Sequence, residues 1–170
     1  SGITADATAR GEWQEWRHKR AFLERASEPF DLLETLALAS GEFRHLSRHW
    51  GRLARAARHF AYPMDDAELH AALQALVQTH PTGLWRVRLL LASSGQVQAQ
   101  AFAMEPTEGP VKLNVAQQPL AQAHSEFVRF KTTRRAHYEA AAPAVPGIFD
   151  TILWNDAGEV TECSRGNIAV

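Results

Sequence analysis

Three turns lying between strand-like apolar runs constrain this chain more than any other feature: Ser40-Gly41, Ser93-Ser94-Gly95 and Asn155-Asp156-Ala157-Gly158. A tight, glycine-bearing turn between two such runs favours an antiparallel hairpin. Hairpins are therefore expected in "PFDLLETLALASGEFRHL", "LWRVRLLLASSGQVQAQAFAME" and "FDTILWNDAGEVTEC". Between the first and second the apolar period changes. Leu46, Trp50, Leu53, Ala57 and Phe60 recur at helical spacing, which predicts an amphipathic helix from about Leu46 to Ala61. Tyr62-Pro63 stops it, since proline has no backbone N–H to continue the ladder. Asp65 or Asp66 caps a further helix through about Val77, with Leu69, Leu73 and Leu76 on one side. The expected class is α+β, with two short sheets that each associate with helices.

Other segments divide the chain. "GEWQEWRHKRAFLERA" (11–26) predicts a helix with Trp13, Trp16, Arg20 and Leu23 on one face, and two tryptophans there need a partner surface. "EPTEGP" (105–110) reads as a linker, and "VKLNVAQQ" opens a new strand-rich segment. "FVRF" is an apolar-alternating run leading to Lys131, and a short helix is expected near 132–142. The division is 1–28 as a linker helix, 29–105 as a small α/β domain and 106–170 as the first part of a second domain. Leu33, Leu46, Leu53, Phe60, Leu73, Val87 and Leu89 are the expected core of the first.

Composition removes several functions. A net charge of −1 gives no global reason to expect nucleic acid or an anionic membrane as partner. No apolar run approaches the ~20 residues a bilayer requires, and "SGITADATARGEW" lacks the layout of a signal peptide. The single cysteine, Cys163, excludes an internal disulfide and fits a reducing compartment, so a cytoplasmic location is expected. His45 and His49 stand at metal-ligand spacing, but no third ligand accompanies them and no metal is expected. Arg44, Arg48, Arg52, Arg55 and Arg58 crowd one helix, as a solvated face or a local nucleic-acid helix would. At about 100° per residue, Arg44, Arg48 and Arg55 point away from the apolar stripe. Arg52 lies nearer its edge, where a planar guanidinium can lean into a pocket and take a phosphate.

Lys131 and Glu162 complete the candidates. A lysine in a partly desolvated site has its charged form disfavoured and becomes a usable amine nucleophile. A lone glutamate on an inward strand face needs a cationic partner. A nucleophilic lysine, a carboxylate and a phosphate-binding arginine together suggest pyridoxal 5'-phosphate, one arrangement among several that these residues allow.

"FKTTRRAHYEAA…FDTILWNDAGEVTECSRGN", with "FDLLETLALASGEFRHLSRHWGRLARAA" upstream, resembles the fold-type IV (class IV) aminotransferase-like pyridoxal-phosphate enzymes. Three motifs carry the likeness over about residues 29–170: the lysine before a short helix, the "N-x-x-G-x-[VL]-[TS]-E" hairpin, and "H-x-x-R-L" at His49-Trp50-Gly51-Arg52-Leu53. The resemblance implies the family's fold, a small α/β domain followed by the start of a larger cofactor-binding domain. It implies that Lys131 is the Schiff-base lysine, Glu162 the partner of the pyridine nitrogen and Arg52 a phosphate ligand. Thr35 matches a pocket-lining position, and Arg88 would bind a substrate carboxylate if its strand turns it inward; an exposed strand arginine is the other reading. Two departures stand out. Ala136 falls where the family commonly contacts the cofactor's 3-hydroxyl, with Tyr138 the nearest phenol, and the chain reaches Val170 before the family's threonine-rich phosphate segment. About half an active site is expected here.

"VTEC" followed by Asn167 is most similar to the 4-amino-4-deoxychorismate lyases, and the N-terminal stretch resembles the link in fused para-aminobenzoate synthases. The implied activity is release of pyruvate from 4-amino-4-deoxychorismate to leave 4-aminobenzoate, a step of folate biosynthesis. A small-molecule substrate, a synthase domain in the same full-length chain and a homodimer are implied with it. An amino-acid transaminase for branched-chain or D-amino acids would use the same lysine, glutamate and arginine. A non-catalytic docking module, with Trp13 and Trp16 as its contact face, is the alternative outside catalysis.

Overall fold

A computed structural model describes residues 28–166 and 168, together with Trp13 and Trp16. Ser1–Phe30 groups as one compact unit and Asp31–Val170 as another. In the first, Trp13 and Trp16 are helical, exposed and stacked with ring centroids 5.2 Å apart. Arg20 and Leu23, predicted on the same face, lie outside the described residues.

In the second unit the first expected hairpin is β1 (Leu32–Ala39) and β2 (Glu42–Phe43). Ser40 and Gly41 both take positive φ, 50° and 80°, as the primed turns of two-residue hairpins require. The second hairpin is β3 (Leu84–Leu91) and β4 (Val97–Ala103), and the antiparallel sheet runs β2-β1-β3-β4. Alternation puts Leu32, Leu36 and Leu38 of β1 on one face with Val87, Leu89 and Leu91 of β3, all buried. Helices α1 (Leu46–Phe60) and α2 (Asp66–Thr79) pack against β1 and β4 and add Leu53, Ala57, Leu69 and Leu73 to this core. Each fully buried leucine contributes about 1.5–3 kcal/mol. Leu46 and Phe60, expected in the core, are only half-buried at the ends of α1. Asp65 caps α2 by accepting from the Ala67 and Glu68 N–H groups.

After an exposed stretch over 104–112 comes a second sheet, ordered β5 (Leu113–Val115), β6 (Asp150–Trp154), β7 (Val160–Cys163). Strands β6 and β7 form the third expected hairpin, whose turn is held by Asn155 Oδ1 accepting from the Ala157 and Glu159 N–H groups. Strand β5 runs parallel to β6, so the chain must cross over between them, and that crossover carries Lys131.

The crossover corrects two expectations. "FVRF" is not strand: Glu126–Arg129 form the single helical turn α3, capped by Ser125 Oγ accepting from Phe127 N–H at 3.2 Å. The helix expected over 132–142 contracts to one turn, α4 (Ala136–Glu139). Residues 131–133 are held extended instead, because they pair with the start of β1. Leu33 N–H donates to the Lys131 carbonyl at 3.0 Å, and Thr133 N–H donates to the Asp31 carbonyl at 2.9 Å. An antiparallel bridge joins Leu32 to Thr132 between them. No helix among the described residues is long and apolar enough to cross a membrane.

Candidate functional site

The site grows from a buried charge. Glu34 sits among the leucines of β1 with 1% of its surface exposed, a position that is costly for a carboxylate without partners. Helix α1 supplies them. Arg52 Nε donates to Glu34 Oε1 at 2.6 Å, a terminal nitrogen of Arg52 donates to Oε2 at 2.5 Å, and His49 Nδ1 lies 2.8 Å from Oε2. The bond to Glu34 raises the Arg52 pKa against the opposing effect of burial. Arg52 is thereby locked at the helix edge while Arg48 and Arg55 on the same helix are exposed, as helical geometry required; Arg44, expected on that helix, lies in the turn before it and is exposed there. His45 is exposed and His49 is engaged with Glu34, and no cluster suited to a metal occurs among the described residues.

Arg52 lines a pocket together with Lys131, Arg135, Tyr138, Glu162 and Ser164. The three residues singled out for cofactor chemistry thus meet in one place. Burial, followed by the positive charges of Arg52 and Arg135, lowers the Lys131 pKa, which raises the share of neutral amine near neutral pH. Burial raises the Glu162 pKa, opposed by a hydrogen bond from Tyr138 and by the charges of Arg135 and Lys131. The expected cations, Arg135 and Lys131, act on Glu162 through their charge, without a hydrogen bond. The hydrogen-bond partner of Glu162 is a phenol: Tyr138 Oη donates to Oε1 at 2.9 Å. Burial and the neighbouring carboxylate push the Tyr138 hydroxyl far above its usual range, so it remains a donor.

The wall beyond β7 hangs on Asp150. Its Oδ1 accepts from Thr151 N–H at 2.8 Å and from the Ser164 hydroxyl, and its Oδ2 accepts from Arg165 N–H at 3.0 Å and Gly166 N–H at 2.9 Å. Burial alone would raise this carboxyl; the hydrogen bonds outweigh it and hold it below the ordinary range. A depressed carboxylate contributes stability in full above its unfolded value, about pH 4, and loses it as pH falls through the folded value. Asp150→Asn should therefore cost about 1.5–3 kcal/mol at neutral pH. It should also flatten the loss of stability below about pH 4, read by urea denaturation across pH.

Thr35 and Arg88 stand elsewhere. They pair across β1 and β3 on the face turned away from Glu34, Arg88 is exposed, and neither lines the pocket. Glu34, Arg135, Asp150 and Ser164 were missed from the sequence. For Glu34 one signal existed, a carboxylate in phase with leucines in "LLETL".

The donor set suits a phosphorylated aromatic aldehyde. It offers an amine whose protonation is disfavoured, a carboxylate in the same pocket that suits a ring nitrogen, and a guanidinium that suits phosphate.

A family model described as amino-transferase class IV matches residues 31–170. No curated protein matches the chain. Among solved structures, a proposed amino-acid aminotransferase from Mesorhizobium loti aligns with a TM-score of 0.72 at 28% identity, covering 79% of this chain and 67% of that one. A proposed 4-amino-4-deoxychorismate lyase from Legionella pneumophila aligns with a TM-score of 0.66 at 21% identity, over 79% of this chain and 56% of that one. A hypothetical aminotransferase from Mycobacterium tuberculosis in its PLP-bound form aligns at 0.62 and 20% identity, over 79% of this chain and 55% of that one. At such identities the last two speak for the fold alone. The chain spans between 55% and 67% of the lengths of these three.

Proposed function

The chain belongs to the class IV aminotransferase family, whose members use pyridoxal phosphate, and from that premise we propose that it is the lysine-bearing part of a lyase acting on 4-amino-4-deoxychorismate. The observation that carries the reading is the convergence of Lys131, Glu162 and Arg52 on one pocket. The choice of lyase rests on the likeness of "VTEC" and its following asparagine to that group. In the same proposal the boundary near residue 105 separates a small domain from the start of the cofactor-binding one. A fused synthase domain precedes it, and the active protein is a homodimer.

Bound pyridoxal phosphate supplies an electron sink for the amine-bearing carbon of the substrate. Glu162, which lines the same pocket, would hold the ring nitrogen of that group. Arg52 donates Nε and one terminal nitrogen to Glu34, and its guanidinium would help to hold the phosphate. The Lys131 amine, kept partly neutral by burial and by the charges of Arg52 and Arg135, removes the proton from the amine-bearing carbon. The bond from the adjacent carbon to the enolpyruvyl oxygen breaks, Lys131 returns the proton to the departing enolpyruvate, and pyruvate and 4-aminobenzoate result. Atoms balance without water.

One observation favours a second reading, an amino-acid transaminase: the 28% identity to the Mesorhizobium loti protein. Incubation of the full-length protein with aminodeoxychorismate and, separately, with amino acids and 2-oxoglutarate separates them. Pyruvate and 4-aminobenzoate in equal amounts are expected. Glutamate formation without pyruvate release would replace the lyase by the transaminase.

A further inference from the structure

We infer that Tyr138 is a positioning residue for Glu162, donating to one carboxylate oxygen so that the other is left to face the pocket. Tyr138 is 7% exposed on α4, and its hydroxyl takes Oε1 of Glu162 at 2.9 Å, leaving Oε2 for a ligand. The phenol is itself held. The Arg135 guanidinium lies over its ring, 4.5 Å from the centroid, and donates to the Ser164 carbonyl at 2.9 Å. The turn of α4 therefore grips the end of β7 at two points, residues 162 and 164, on either side of Cys163.

A phenol donating to a carboxylate favours the ionised form, since the bond is stronger to a full negative charge. The other groups acting on Glu162 are the cations Lys131 and Arg135, both from the segment preceding α4. Neither is its hydrogen-bond partner, so Tyr138 is the contact that sets the orientation. Burial works against ionisation at this depth, and the phenol opposes it. Removing the hydroxyl alone should let Glu162 take up a proton at higher pH. Proposing Oε2 for the pyridine nitrogen rests on the functional reading above; the effect on Glu162 itself does not.

Tyr138→Phe keeps the ring beneath Arg135 and deletes the donor. In the cofactor-free full-length protein, carbon-13 NMR of Glu162 should show about a tenfold gain in proton affinity, one pH unit at the midpoint. In the wild type, the Tyr138 Cζ resonance should titrate with the same midpoint as Glu162. A Glu162 midpoint unchanged in Tyr138→Phe, or a Tyr138 resonance indifferent to it, overturns the inference. Pyridoxal phosphate affinity, read by absorbance against pH, forms a second arm. Its acid limb should move up by the same tenfold in Tyr138→Phe and vanish in Glu162→Gln. If Glu162→Gln leaves that limb in place, the role of Glu162 at the cofactor is refuted while the NMR arm still decides the inference about Tyr138.

Discussion

Replacing Lys131 by alanine is expected to abolish covalent attachment of pyridoxal phosphate and to lower turnover by about 10⁴-fold or more. General acid–base catalysis alone contributes about 10²–10⁴-fold, and the lysine is assigned the nucleophile's role as well. The effect should be specific, because the backbone of Lys131, not its side chain, is what pairs with Leu33. Melting should therefore move little. Absorbance after adding pyridoxal phosphate, with and without borohydride, checks the attachment, and pyruvate release checks the turnover. A variant that still retains reduced cofactor at one equivalent would remove Lys131 from the chemistry.

Arg52→Ala carries the largest expected cost in stability. It strips Glu34 of both guanidinium bonds and leaves a carboxylate with 1% exposure facing only His49. Breaking a buried pair by removing one partner costs about 3–5 kcal/mol, because an uncompensated charge remains inside. Arg52 is itself 38% exposed, so the lower end of that range, about 3 kcal/mol, is the expected value. Glu34→Leu made on top of Arg52→Ala should recover much of it by removing the stranded charge. Urea denaturation of the single and double variants measures the coupling. Additive losses would mean that the two side chains do not stabilise one another.

The hairpins were legible because turn chemistry is local. Ser40-Gly41 and Asn155–Gly158 determine their own geometry whatever surrounds them. Helix α1 was legible because its period is a property of one segment, and the same wheel separated Arg52 from Arg48 and Arg55. "FVRF" was misread because two neighbouring signals competed: alternation spoke for strand, and Ser125, one residue outside the helix, capped a turn instead. The partners of the site were hidden for another reason. Glu34 meets Arg52 across 18 residues and Tyr138 meets Glu162 across 24, and no periodicity reports which elements will touch. Residue type and motif order singled out Lys131, Glu162 and Arg52; only packing shows what holds them.

Strand β1 is the common datum of the site. It fixes Arg52 through Glu34 and the backbone of Lys131 through Leu33, while Asp31, just ahead of the strand, exchanges hydrogen bonds with Thr133 across 102 residues of sequence. In a machined assembly, errors accumulate when each part is located from the previous one, and they cancel when two parts are gauged from the same edge. The long intervening chain works in the second way. Length changes in its exposed stretch over 104–112 would not add up into a misplaced amine, because Lys131 and Arg52 are both measured from β1 rather than from each other. Sequence drift in that stretch is thereby decoupled from the precision of the site, and the residues least free to drift are the few at the start of a single strand.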